Sequence, residues 1–250
     1  MKLRSNITAL LLAISIVTAH GQEGSWSFSA VGGYAYLDLE SVDGDNASDV
    51  EGYRLRTYDL PDFPSLRSAF VLGGKITYRF ERDYSFSLTV YESSRQVASA
   101  FSRPEDSLAL TRSVGSTAFL VGIAQHFEPV QDVFDWYAEL HIGILAARAG
   151  STAYQTRTKK SESDPTPITE VTDDTRGEYR KSKLIVGAGL GSSLSVVGPF
   201  FLKVDLMYRF AKIGKMETDL STLTGKRPHT TSIDFNYSGF FVLVGLGVEL

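Results

Sequence analysis

The chain has 250 residues, a net charge of -4 at pH 7 and no cysteine. Its lysines and arginines are dispersed along the chain, which argues against a nucleic-acid partner. The lack of cysteine excludes disulfides and an acylated-cysteine anchor, and no apolar stretch approaches the roughly 20 residues of a spanning helix.

The first residues are typical of an export signal. Lys2 and Arg4 provide a positive segment, and Ile7 to Val17 provide an apolar segment that is too short to cross a bilayer. Small residues follow, so we expect cleavage near His20 or Gln22. Residues 1–21 are therefore assigned to a cleaved signal peptide and residues 22–250 to a single mature domain.

Eight segments of the mature chain alternate apolar and polar residues, the period-two pattern of a strand with two different faces. In the last segment the alternation slips near Gly239, which indicates a bulge. The predicted strands are 26–36, Ser68–Phe80, Tyr84–Ser94, Arg112–Phe127, Trp136–Gly150, Lys183–Val197, Phe200–Phe210 and Asp234–Leu250.

The connections between these strands alternate in length. This asymmetry predicts a closed antiparallel up-and-down transmembrane β-barrel, with short periplasmic turns and long extracellular loops. Loop 151–182 is expected to be exposed without a core of its own, and the run Tyr53 to Tyr58 to extend the first hairpin. The long connections are 39–67, 95–111, 151–182 and 213–233, and the short ones are 81–83, 128–135 and 198–199.

Aromatic residues mark the strand ends nearest the short turns. Such residues form the girdle where hydrocarbon meets the lipid headgroups. The predicted girdle comprises Trp26, Phe28, Tyr78, Phe80, Tyr84, Phe86, Phe127, Trp136 and Phe200.

The opposite face of the strands carries ions of both signs. A lysine or arginine facing lipid at the bilayer midplane costs roughly 2–4 kcal/mol, so these residues should point inward and pair, with Glu249 near Lys203. A glycine row on the sixth strand should relieve crowding in the narrow lumen. The alternative is the solvated outer face of a soluble periplasmic ligand-binding barrel. The predicted interior network comprises Lys75, Arg79, Glu139, His141, Lys203, Asp205, Arg209 and Glu249.

The chain ends in a strand-like segment in which Gly245, Val248 and Leu250 resemble the C-terminal assembly signal of outer-membrane barrels. That signal usually ends in an aromatic residue, which Leu250 replaces. Together with the export signal and the eight segments, it makes the mature chain similar to the small barrels of the OmpA, OmpX and OmpW group. The resemblance implies residence in a bacterial outer membrane, contact with lipid and lipopolysaccharide, and insertion by the barrel-assembly machinery.

The expected function is that of a non-enzymatic surface scaffold whose long loops contact envelope or surface ligands. A narrow pore for small or apolar solutes is the alternative from the transport class. An enzymatic hypothesis rests on His141 and Glu139, two residues apart on the inward face, although an interior ion network explains the pair better. His126 and His229 are the other histidines of the mature domain, and their spacing predicts neither a metal site nor a cofactor.

Overall fold

The computed structural model describes residues 24–55, 58–127, 134–159, 168–219, 221–222 and 230–250, so the predicted signal peptide lies outside the described residues. These described residues include one helix, α1 (Glu40–Arg54). The strands are β1 (Ser25–Leu37), β2 (Ser68–Glu81), β3 (Tyr84–Arg103), β4 (Asp106–His126), β5 (Phe134–Lys159), β6 (Ile168–Val197), β7 (Phe200–Phe210), β8 (Lys212–Asp219), β9 (Ser221–Thr222), β10 (Thr230–Asn236) and β11 (Gly239–Glu249).

Eight of these strands form a closed ring. Strands β1 to β7 pair with their neighbours in chain order, and β11 pairs with both β7 and β1, all antiparallel. The prediction of an eight-stranded, antiparallel, up-and-down barrel is therefore confirmed. Each of these eight strands pairs with a neighbour on both sides, so the ring has no open edge.

The two faces of the ring differ in chemistry. On β7, Leu202, Val204 and Leu206 are exposed on the outside, whereas Lys203 and Asp205 are buried in the lumen. Phe200 and Phe210 end the apolar face ten residues apart. At about 3.4 Å per residue and a tilt of about 40°, this face is about 26 Å tall, which matches the roughly 25 Å apolar band of a membrane barrel.

Three segments that were predicted to be loops instead consist largely of paired β-strands. Segment 95–111 continues β3 and β4 around a tight turn at Pro104 and Glu105, and most of 151–182 belongs to β5 and β6, with residues 160–167 outside the described part. Segment 213–233 holds β8 and β10, which pair as a separate hairpin. Above the apolar band both faces of a strand can be polar, so the hydrogen-bonded ladders continue without the alternation that reveals them in the sequence.

Segment 39–67 also differs from its prediction, because it contains α1 instead of a hairpin extension. Tyr53 and Arg54 end this helix, and residues 56–57 lie outside the description. Val42 and Val50 of α1 are buried in the apolar core above the ring. Arg112 of β4 fastens the helix with an ion pair of 2.5 Å to Asp49. The helix therefore covers the end of the barrel opposite the short turns.

The segment after α1 is fastened to the long hairpins through Tyr58. Its hydroxyl donates to Asp106 Oδ2 over 2.7 Å and accepts a hydrogen bond from Gln155. Burial, and then the hydrogen bond to Asp106, raises the pKa of Tyr58 above its ordinary value. The hydroxyl therefore keeps its proton at neutral pH and remains a donor. The segment after α1 thus stays bonded to β4 and β5.

The predicted eighth strand is divided in two. Tyr237 and Ser238 separate β10 from β11, close to the slip in alternation at Gly239, and Ala211 separates β7 from β8. The Ala211 amide donates to Ser238 Oγ over 2.8 Å, and the Tyr237 amide donates to the Ala211 carbonyl over 3.0 Å. These bonds hold the two interruptions side by side, so the β8 and β10 hairpin can leave the ring at this level.

Among the described residues, no helix combines the length and apolar character needed for a membrane crossing.

Candidate functional site

The lumen is the candidate site because it holds most of the buried charge. Lys75 on β2 reaches Glu139 on β5, with 2.5 Å between Nζ and Oε2. Ser87 on β3 donates a hydrogen bond to the other carboxylate oxygen. Lys75 and Glu139 are 5% and 7% exposed, so the pair is removed from solvent. An ion pair buried this deeply requires both partners, since either charge alone would be left without compensation.

A second pair lies beside the first. Lys203 and Asp205 are inward neighbours on β7, with 3.7 Å between Nζ and Oδ2. Tyr137 on β5 donates its hydroxyl hydrogen to Asp205, and the ammonium groups of Lys75 and Lys203 lie 5.4 and 4.8 Å from the centre of its ring. Tyr137 therefore joins both ion pairs in one network that spans β2, β5 and β7.

Arg209 on β7 fills the lumen farther from the short turns. It is 1% exposed, and it donates over 3.1 Å to the hydroxyl of Tyr91 and over 3.1 Å to the carbonyl of Tyr237. Its guanidinium lies 4.3 Å from the ring centre of Phe241, a cation–π contact. Tyr91 is on β3, which is the fourth strand from β7 in the eight-stranded ring. The Arg209 and Tyr91 side chains together therefore span the barrel.

Three other residues predicted for the interior network lie apart from its ion pairs. His141 is buried beside Glu139, but its Nε2 atom has no hydrogen-bond partner among the described residues. Glu249 is exposed at the short-turn end, and within the described chain no ion pair joins it to Lys203. Arg79 also lies at that end, 3.4 Å from Asp135. Lys203 and Glu249 line the same cavity, as the prediction of their proximity requires, but the carboxylate that pairs with Lys203 is that of Asp205.

The glycine row on β6 makes room for the large side chains of the lumen, as predicted. A Cβ atom at Gly187 would lie 2.1 Å from Nε2 of His141, and one at Gly191 would lie 2.1 Å from the ring of Tyr137. Real Cβ atoms do not approach other atoms this closely. The imidazole and the phenol therefore occupy space that a side chain on β6 would take.

A third cluster lies at the short-turn end of the lumen. The hydroxyl of Ser85 on β3 is 2.9 Å from Nε2 of His126 on β4, and Nδ1 of the same ring is 2.8 Å from Oδ2 of Asp135 on β5. From the sequence, His126 was a candidate only in isolation, and Ser85, Asp135 and Tyr137 were not predicted as site residues. All of these residues occupy inward positions near predicted short turns. That shared position is the feature of the sequence that could have indicated the cluster.

The predicted aromatic girdle lies outside the same end of the barrel. The rings of Trp26 and Tyr78 stack 4.5 Å apart across β1 and β2, and those of Phe80 and Phe86 stack 4.8 Å apart. Trp136 and Phe200 are about half exposed on the outer face. The chain end continues the ladder, since the Leu250 amide donates to the Trp26 carbonyl over 2.7 Å. The assembly signal at Gly245, Val248 and Leu250 stays a prediction.

Comparison with family models and with curated protein sequences finds no match. Solved structures do match in fold. OprG of Pseudomonas aeruginosa, an outer-membrane protein, shares 11% identity over 92% of this chain and 97% of its own, with a TM-score of 0.49. The N-terminal β-barrel domain of OprF from the same organism shares 13% identity over 92% and 100%, with a TM-score of 0.38.

Another match is the outer-membrane protease OmpT of Escherichia coli, at 6% identity over 92% of this chain and 98% of its own, with a TM-score of 0.35. These neighbours are outer-membrane proteins, the class that the sequence resembles. The likeness concerns the fold, which the pairing of the chain's own strands already shows. Function must be argued from the sites themselves.

Proposed function

We propose that this chain is a bacterial outer-membrane barrel with a lumen closed to diffusion, which anchors a folded platform at the cell surface. The observation that carries the proposal is the position of polar and apolar side chains. Charged residues such as Lys75 and Arg209 are buried inside the ring, while Leu206 and Val244 are at least half exposed on its outside. A soluble barrel reverses this arrangement, whereas lipid favours it.

The closed lumen is supported by contacts that cross it. Arg209 reaches Tyr91 on the opposite strand, and the Lys75 to Glu139 pair joins β2 to β5. Farther from the short turns, Tyr91, Phe241 and Leu145 belong to an apolar cluster that continues to α1. Side chains thus fill the barrel at successive levels, as an eight-stranded ring allows. This arrangement supports a scaffold over the narrow pore.

The platform consists of α1 and the hairpins that continue beyond the apolar band. It has an apolar core of its own, in which Val50, Leu60 and Leu110 are almost fully buried. Because this core orders the hairpins, we propose that they present a fixed surface to envelope or surface ligands. The barrel-assembly machinery and lipopolysaccharide are the further proposed partners, as for other barrels of this class.

Two measurements test the proposal. An epitope inserted in the turn at 104–105 should bind antibody on intact cells, whereas the same epitope at 82–83 should bind only after the outer membrane is permeabilised. In planar bilayers the purified protein should give no steady current, and a Lys75→Ala, Glu139→Ala double variant should raise conductance. The reversed epitope pattern would contradict the orientation, and a steady wild-type current would contradict the closed lumen.

A further inference from the structure

Three consecutive strands bring together a serine, an imidazole and a carboxylate at the short-turn end of the lumen. Ser85 is the second residue of β3, His126 is the last residue of β4, and Asp135 is the second residue of β5. In the antiparallel ladders Ser85 lies opposite Ala124, and His126 lies opposite Tyr137. The three side chains therefore come from adjacent strands and share the inward face.

In the hydrogen bonds of these three residues, Ser85 donates to His126 and His126 donates to Asp135. An ionised carboxylate only accepts hydrogen bonds, so Asp135 Oδ2, at 2.8 Å, places the ring proton on Nδ1 of His126. The Nε2 atom is then an acceptor for the Ser85 hydroxyl at 2.9 Å. A nucleophile bonded to a base, which is bonded in turn to an orienting acid, is the arrangement that activates a serine.

We propose that Ser85 is a nucleophile, with His126 as its general base and Asp135 as the residue that positions the imidazole. The substrate class is short acyl esters that enter from the short-turn end. This proposal departs from the expectation of a non-enzymatic barrel and from the earlier hypothesis built on His141 and Glu139. It is independent of the platform, which lies at the other end of the barrel.

The size of the substrate follows from the adjoining cavity, which has a volume of about 80 Å³. Ser85 and His126 line this cavity, and Ser85 itself is only 1% exposed. An acetyl-sized group fits this space, whereas a lipid chain does not. The remaining wall combines charged groups of the lumen network, such as Lys75 and Glu139, with the Tyr137 ring, five hydroxyl side chains and a phenyl ring. The hydroxyl and phenyl residues are Ser25, Ser27, Thr77, Ser193, Ser195 and Phe201.

Arg79 supplies positive charge beside the serine. It lies directly opposite Ser85 in the β2 and β3 ladder, and its guanidinium is 3.4 Å from Asp135. A fixed cation in a partly enclosed site stabilises the negative charge that develops on an attacked carbonyl oxygen. We therefore assign Arg79 to the stabilisation of the oxyanion.

The proposed reaction balances without a cofactor. Ser85 Oγ attacks the carbonyl carbon of the ester while its proton moves to Nε2 of His126. The bond from carbon to the alcohol oxygen then breaks, and the alcohol leaves with that proton. Water attacks the acyl-serine in the same way, which releases the acid and returns the proton to Ser85. Among the described residues, no group of three or more histidine, aspartate or glutamate side chains is placed to hold a metal ion.

The test uses the folded full-length protein in detergent and a small alkyl fluorophosphonate, which forms a bond from serine oxygen to phosphorus and releases fluoride. The wild type should gain one label, located at Ser85 by peptide mass spectrometry, and should hydrolyse p-nitrophenyl acetate. Ser85→Ala should lose both. His126→Gln and Asp135→Asn should slow labelling, the former by about 100-fold or more, the usual contribution of a general base.

Ser93→Ala is the matched control, because Ser93 is also 1% exposed on the inward face of β3 but bonds to Ser116 Oγ over 2.8 Å rather than to an imidazole. It should label at the wild-type rate. Heat-dependent gel mobility verifies that each variant is folded. An unlabelled wild type, or equal labelling of the wild type and a folded His126→Gln or Asp135→Asn variant, would overturn the proposal and leave a purely structural hydrogen-bond cluster.

Discussion

Replacing Glu139 with glutamine should strongly destabilise the barrel while preserving its shape. Glu139→Gln keeps the volume of the side chain but removes the negative charge that faces Lys75 at 2.5 Å. Lys75 is 5% exposed and Lys203 is 6% exposed, so two ammonium groups would remain in the lumen with only Asp205 nearby. Removing one partner of a buried ion pair typically costs about 3–5 kcal/mol, and we expect a loss in this range.

The assay is equilibrium unfolding by guanidinium in lipid vesicles, followed by tryptophan fluorescence. A Lys75→Met, Glu139→Gln double variant removes both members of the pair and should recover a large part of the loss, because no unpaired ammonium remains at that position. Glu178→Gln is the matched control. Glu178 also forms an ion pair, in its case with Arg180, but its side chain is 62% exposed, so the cost should be below about 1 kcal/mol.

A loss below about 1 kcal/mol for Glu139→Gln would refute this reasoning, because it would mean that water or another group compensates the ammonium charges. Equal losses in the single and double variants would also refute it, since the cost would then come from the glutamine itself.

Three further predictions concern packing and the outer surface. Gly191→Val should destabilise the barrel by displacing the Tyr137 ring, as measured by the guanidinium midpoint, whereas Gly44→Val, at a site with open space, should not act through such a clash. Leu206→Arg on the outer face of β7 should cost roughly 2–4 kcal/mol of folding free energy in vesicles, and an unchanged midpoint would contradict its contact with lipid. Val50→Asp should detach α1, seen as faster proteolysis of the segment after the helix with unchanged heat-dependent mobility of the barrel.

The strands of the ring could be predicted because lipid on one side and a crowded lumen on the other impose opposite chemistry on alternate residues. Strand β7 illustrates this, with an alternation from Leu202 to Phe210 that only Met207, an apolar residue on the inward face, interrupts. That constraint ends above the apolar band, so the continuation of β3 to Arg103 left no alternation to detect. Helix α1 could not be predicted either. It buries only two apolar residues, Val42 and Val50, which is too few to give a helical pattern of apolar residues in the sequence.

The faces of the lumen residues could be predicted, but their partners could not. Period two places Arg209 on the inward face, yet it does not reveal that the side chain meets Tyr91 of the opposite strand. The register of each ladder decides such contacts. Ser85, His126 and Asp135 are similar, since their contact depends on how β3, β4 and β5 align. Short turns limit that alignment at one end only, where residues 82–83 join β2 to β3.

The most direct test of the account is to measure which residues of β7 face lipid. The chain has no cysteine, so single cysteines at positions 202 to 208 can carry spin labels without background. In vesicles, collision with oxygen dissolved in the bilayer should be high at Leu202, Val204 and Leu206, and low at Lys203 and Asp205. Alternation of the opposite phase, or equal values at all positions, would contradict a barrel with its apolar face in lipid and its charges in the lumen.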